Sequence, residues 1–344
     1  MHDKEFNMKI TKDFKGMKCV AHRSYVIEGD LISGEDIEIN MEDNRLIIEG
    51  SIISQKSIFV SGILHANQNI QAEGDIEATE WIEAGGWIKA GKNIEACAHI
   101  CAGYQIEAGG DIKSRNIKAG FITARGNIRA VWGIRAERIQ ANGYIFGEDI
   151  IGRHEITADK SIVASGNIES AEGWIQVGVS ITAKHSIKAG SSIRAGLDII
   201  AGDGIKAGFD SFITGDSVPS ASCSIRAGSN IIAGWNIESG FNIDAHGFIK
   251  AGLSIAAGWD ISSDNSIQAG WMIQAGYSIT AKSFIQAEGE IFAGVSIHRP
   301  QESLGLFKPR RKEIWCAELK KGEICHGKLI IGDILDPDTW PDTW

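Results

Sequence analysis

Glu83, Glu95 and Glu107 stand at the centres of three I-x-A tripeptides set twelve residues apart. Carboxylates ranked in this way are the groups that a polysaccharide-processing site uses as acid and base. The nearest approach to a metal set is Cys316, Cys325 and His326, which lacks the paired C-x-x-C or H-x-x-x-H spacing of a zinc site. His99, His154, His185, His246, His298 and His326 fall at turns or coil ends, with no nucleophile or metal motif around them. The expected catalytic, metal and cofactor sets are therefore empty. The ranked carboxylates read as a solvated face.

Binding is the chemistry that remains. Trp81 and Trp87 flank a run of acids at Glu73, Asp75, Glu77, Glu80 and Glu83, while Trp235, Trp259 and Trp271 recur later in a more regular stretch. Trp132 and Trp174 lie beside isoleucines in the less regular half. Tryptophan is enriched where proteins meet, and a dense acidic run suits a positively charged protein. These ten residues, Trp132 and Trp174 aside, are the candidate protein-binding surface.

The elements that must position them follow from one period. Isoleucine recurs every six residues from Ile225 to Ile297, which matches neither a helix nor a simple strand alternation, so each hexapeptide is one short strand plus one turn. The unit reads I-x-A-G-x-x, as at Ile187-Lys188-Ala189-Gly190 and Ile193-Arg194-Ala195-Gly196. Alternation turns Ile and Ala inward and the middle residue outward. Glycine then takes the bend, where a positive φ or a close approach between corners requires the absence of a Cβ.

A second period sets the number of sides. Corners that lack glycine recur at His246, Asp264 and Lys282, and aromatic corners at Trp235, Leu253 and Trp271, and at Phe241, Trp259, Tyr277 and Val295, in steps of eighteen. Three strands per coil follow. The expected fold is all-β, an elongated three-sided parallel β-helix (solenoid) of about 18 residues per coil, with its hand left open. Weaker units begin near Ile27 or Ile32. Spacings of five at Ile112, Ile117 and Ile122, at Ile134 to Ile139 and at Ile145 to Ile150 make the middle the least regular part. After Ile205, a unit at Ile213 and a loop over Gly215 to Cys223, containing Pro219, precede the return at Ile225. Domain boundaries are expected at residues 1–31 for an N-terminal cap, 32–298 for the β-helix and 299–344 for a basic loop and C-terminal cap, with a Trp-rich tail ending at Trp344.

Composition bounds the partners. Forty-four acids against 34 bases give a net charge of −10, and no long basic groove is visible, so no direct nucleic-acid binding is expected. No apolar run approaches a membrane span and Met1-His2-Asp3-Lys4-Glu5 is no signal segment, so no membrane association is expected and the chain is placed in the cytoplasm. Six irregularly spaced cysteines, Cys19, Cys97, Cys101, Cys223, Cys316 and Cys325, form no secreted disulfide framework.

In overall style this repeat-built chain resembles the large cytosolic immunity proteins of bacterial contact-dependent or polymorphic toxin systems. That resemblance implies a protein-binding scaffold, an antitoxin that neutralises a cationic toxin domain or nuclease and is not an enzyme. The Gly, Ile and Ala repeats of residues 32 to 298 also resemble the bactofilin-like β-helical proteins, which implies a structural polymer or cytoskeletal scaffold. The six-residue period is similar to that of the hexapeptide acyltransferases, although here Ala and Gly follow Ile by two and three positions where those proteins place Gly directly after the aliphatic residue. Acyl transfer stands as the enzyme alternative.

Overall fold

Each I-x-A tripeptide is a three-residue strand with its ends buried and its centre turned outward, as in Ile88–Ala90 and Ile249–Ala251. A strand so short cannot stand alone. It is held by its neighbours one coil away: Ile70 lies against Ile88 and Ile88 against Ile106, while Ile76 and Ile82 belong to the other two columns. The pairings are parallel and isoleucine stacks on isoleucine. In a computed structural model describing residues 8–11, 14–15, 17–21, 24–208, 224–294, 313–326 and 328–331, no described segment is helical. The chain is an all-β solenoid of stacked parallel coils of about 18 residues. It divides into two units, residues 1–165 and 166–344.

In unit 1, Met8–Ile10 already pairs in parallel with Ile37–Ile39, and an antiparallel hairpin joins Met17–Ala21 to Ser24–Ile27. Of the weaker units expected near Ile27 or Ile32, Ile27 is buried, and the second is set one residue earlier, on Leu31. Ile32 is 60% exposed and the inward pair is Leu31 and Ser33. After first intervals of 21 from Leu31 to Ile52 and from Ile37 to Ile58, coils of 18 residues run from the pairing of Ile52 with Ile70 to that of Ile94 with Ile112. Then Ile100 meets Ile117, Ile106 meets Ile122 and Ile112 meets Ile128, intervals of 17 and 16. The residues are lost from corners, so the isoleucine columns survive. Where a corner shortens, the strands fuse into Ile112–Lys118, Ile128–Ala141 and Asp149–Ala158, with register shifts at Ser114/Asn116 and Ala136/Arg138.

Unit 2 is more regular. Ile175 pairs with Ile193, Ile181 with Ile199 and Ile187 with Ile205, after which Ile193 pairs with Ile225. The ladder thus closes across residues 209–223 without a change of column, and runs on to Glu313–His326 and Lys328–Ile331. The expected unit at Ile213, the loop with Pro219 and Cys223, the corner at Val295, His298, the basic stretch from Pro300 to Lys312 and the Trp344 tail lie outside the described residues.

Two devices hold the corners. The first is the glycine at the bend, through the close approach at most corners and through a positive φ at Gly208 and Gly294. A Cβ on Gly252 would overlap the carbonyl oxygen of Gly234, and one on Gly270 that of Gly252, so the corner backbones stack tightly only without side chains. The second was not anticipated. The residue just before each isoleucine is often Asn, Asp or Ser, and its side-chain oxygen accepts the backbone N–H of its counterpart one coil on. Asp36, Ser57, Asp75, Asn93, Asp111 and Asn127 form one such ladder in unit 1. Ser180, Asp198 and Asn230 form another in unit 2. Corner N–H groups that point away from the strand ladders are satisfied in this way.

The core is a set of isoleucine stacks, from Ile70 through Ile94 to Ile273, with no exposed surface, each side chain contributing roughly 1.5–3 kcal/mol by burial. Serine replaces alanine at Ser54, Ser239 and Ser263, where the buried hydroxyl donates to a corner carbonyl: Glu35 at 2.8 Å, Asn242 at 3.0 Å and Gly247 at 2.7 Å.

Candidate functional site

The ranked carboxylates do not converge. Twelve residues are two sides of a three-sided coil, so Glu83, Glu95 and Glu107 stand in three different outward columns, opposite Cys101, Lys113 and Lys89 in turn. Each has a basic partner: His65 Nδ1 at 2.9 Å from Glu83, Lys113 on Glu95, and Lys89 at 3.3 Å from Glu107. The cysteines of the suspected metal set also separate. Cys316 is buried in the core column beneath Ala281, where burial raises its thiol pKa, and Cys325 is exposed. Among the described residues no three His, Cys, Asp or Glu side chains are placed to share a cation, and Cys97, Cys101, Cys316 and Cys325 are free thiols.

The acidic run likewise wraps round its coil. Glu73 is exposed at one corner, Glu77 on the next side, Glu80 at the following corner and Glu83 on the side after that. Asp75 belongs to the corner ladder, its Oδ1 accepting from both the backbone and the side chain of Asn93. Trp87 also takes a ladder position, its N–H donating to Asn69 Oδ1 at 3.0 Å. Of the candidates in this unit, only Trp81 and Glu83 share a groove.

That groove is one of two adjoining concavities of unit 1. It encloses about 620 Å³ and forms where the coils contract. One wall is the column Trp81, His99, Asn116, Gly133 and Asp149, in which side-chain bulk falls to nothing at Gly133. Trp81 meets His99 edge to face at 5.2 Å and 86°, and His99 is 6.3 Å from Trp132. The two indoles stay 44% and 48% exposed. The Arg115 guanidinium lies 5.7 Å from the Trp132 ring centre, in range of a cation–π attraction. The opposite wall is the outward column Glu83, Cys101, Lys118 and Arg135. Burial, aided by Glu83 and opposed by Lys118, pushes the Cys101 thiol up, so it stands in the groove as a neutral group.

His99, expected at a turn or coil end, opens the strand His99–Ala102, and the two cations of the far wall were not among the candidates. Lys118 and Arg135 follow Ile117 and Ile134, an interval of 17 that an eighteen-residue template places on different faces. Correcting for the five-residue spacings would have aligned them.

In unit 2 the corner columns are as expected. Trp235, Leu253 and Trp271 succeed one another along one corner, joined by backbone hydrogen bonds of 2.9 and 2.8 Å, and are 62%, 44% and 61% exposed. Phe241, Trp259 and Tyr277 occupy the next corner, with ring centroids 4.3 and 4.7 Å apart. These rings cover one another and are half-buried. Trp259 thus packs within its corner column while Trp235 and Trp271 face outward. At the third corner Asp264 binds His246 Nδ1 and Lys282 Nζ, each at 2.8 Å. Hydrogen bonds from Lys282 and then His246 hold its carboxyl below the usual aspartate range.

The fold and these sites define a repeat-built parallel β-solenoid. Comparison with protein-family models, curated proteins and solved structures gave no match.

Proposed function

We propose that this chain is a protein-binding scaffold, and that its partner is a cationic toxin or nuclease domain which it neutralises as an immunity protein. The observation that carries the reading is the exposed corner of Trp235, Leu253 and Trp271 in unit 2. Two indoles and a leucine on a continuous backbone ladder form a preorganised apolar edge, which binds with little ordering cost, and tryptophans of this kind dominate interface energetics. The charge of −10 and the exposed Glu73, Glu77 and Glu80 favour a basic partner through steering and complementarity.

The test is affinity capture of the tagged full chain from its native cells, with mass spectrometry and sizing. A one-to-one complex with a small basic protein is expected, lost in a Trp235→Ala, Trp271→Ala double variant that melts like the parent. Recovery of the chain alone, or as long filaments, overturns the proposal.

A further inference from the structure

We infer that the groove of unit 1 binds an acidic oligosaccharide, a linear sugar chain bearing carboxylates. This assignment is independent of the protein-binding edge of unit 2. The volume of about 620 Å³ falls within the range of about 300–1,000 Å³ typical of ligand sites. The same side continues as a second hollow of about 750 Å³ that shares Glu83, Cys101, Lys118 and Arg135 with the first. The two lie side by side along the strands with that shared column between them, and each is a trough running across successive coils, with side chains repeating at roughly the 4.8 Å strand spacing. A trough of that kind suits an extended chain better than a compact molecule.

Three features of the lining specify the chemistry. First, Lys118 and Arg135 stand in one column and Arg115 lies beside Trp132. Elsewhere in unit 1 Lys56, Lys89, Lys113 and Arg138 are engaged by carboxylates, yet among the described residues these three cations have none. With no carboxylate holding them, Lys118 and Arg135 are open to an anionic group on the ligand. Second, the exposed Glu148 lines the same groove, and a carboxylate only accepts hydrogen bonds, so a ligand that also brings donors is favoured. Third, the exposed indoles of Trp81 and Trp132 demand an apolar surface between those polar groups. Uronic-acid sugars carry all three: a carboxylate, several hydroxyls and a C–H face. A DNA strand, charged at every unit as alginate is, has no sugar hydroxyls along its length to donate to a carboxylate and fits less well.

The experiment titrates the intact chain with alginate oligosaccharides, following tryptophan fluorescence and binding heat, with neutral cello-oligosaccharides and a single-stranded oligonucleotide as comparisons. Saturable binding of the acidic sugar alone is expected, weaker at high salt. Arg135→Ala and Lys118→Ala should each weaken it about tenfold or more, the loss of a charge-assisted hydrogen bond. Arg129→Ala, in a different outward column, should leave it intact. All three side chains are exposed, so the variants should melt like the parent. The inference is overturned if alginate does not bind, if the neutral sugar or the oligonucleotide binds as well, or if Arg129→Ala weakens binding as much as Arg135→Ala.

Discussion

Asp75 and Asn93 are joined twice across one coil: Asp75 Oδ1 accepts the Asn93 backbone N–H at 3.0 Å and its Nδ2–H at 2.9 Å. Asn93 Oδ1 passes the same contact on to the Asp111 N–H at 2.8 Å. Asparagine can serve as such a link because it carries both an acceptor and a donor. Alternation with aspartate keeps the carboxylates two coils apart.

Replacing that link tests the ladder. Asn93→Ala removes one acceptor and one donor and should lower stability by about 1–3 kcal/mol. Asn93→Asp places a third carboxylate between two others and should be worse at low ionic strength than at high. Urea midpoints at two salt concentrations measure both.

The corner glycines differ in what lies above them. Gly252→Ala drives a Cβ into the Gly234 carbonyl, whereas a Cβ on Gly204 would sit 3.4 Å from the Asn236 oxygen. The first substitution should cost near or beyond the upper end of about 1–3 kcal/mol. Gly204→Ala should be close to neutral by thermal melting.

Inward and outward positions should separate cleanly. Ile255 and Ile273 are fully buried, and either one changed to alanine should cost about 2–5 kcal/mol. Lys188→Ala and Arg194→Ala, at exposed strand centres, should change the urea midpoint little.

Two aspartates should show opposite pH dependence. The folded pKa of Asp264 is depressed by Lys282 and His246, so its contribution is present above the ordinary value of 3.8 and is lost as the pH falls through the folded value. Asp264→Asn should destabilise at pH near 7 and match the parent in acid. The pKa of Asp244 is raised by burial, against the hydrogen bond from Arg226. Its effect is most favourable below 3.8 and fades as the pH rises through the folded value, so the gain from Asp244→Asn should appear at neutral pH and shrink in acid. Denaturation at a series of pH values reads both slopes.

The aromatic corners should also divide. Trp259→Ala breaks ring contacts with Phe241 and Tyr277 and should lower stability by at least about 1–3 kcal/mol, the worth of two such pairs. Trp235→Ala, at a position 62% exposed, should leave the melting temperature nearly unchanged.

Much of this was legible without coordinates because the repeat is local. Ile187, Ile193 and Ile205 are inward for the same reason wherever the motif recurs, since alternation within a tripeptide fixes the face and a corner glycine fixes the turn. The aromatic columns followed from the eighteen-residue step. The Asn, Asp and Ser ladder is equally written in the chain, at the position before each isoleucine, but its acceptors find their N–H partners only once successive corners are stacked.

The sequence by itself determined the strand unit, the three sides and the inward core, all of which depend on neighbours within one coil. Tertiary structure alone decided which outward residues meet. Glu83, Glu95 and Glu107 look like a rank in the chain and point in three directions once coiled. Trp81, His99 and Trp132, with Lys118 and Arg135 opposite them, look unrelated in the chain and line one groove. The physical reason is accumulation: each residue lost from a corner rotates every later side chain against the template, and only the backbone ladder, which keeps isoleucine over isoleucine, reveals where the sum brings them.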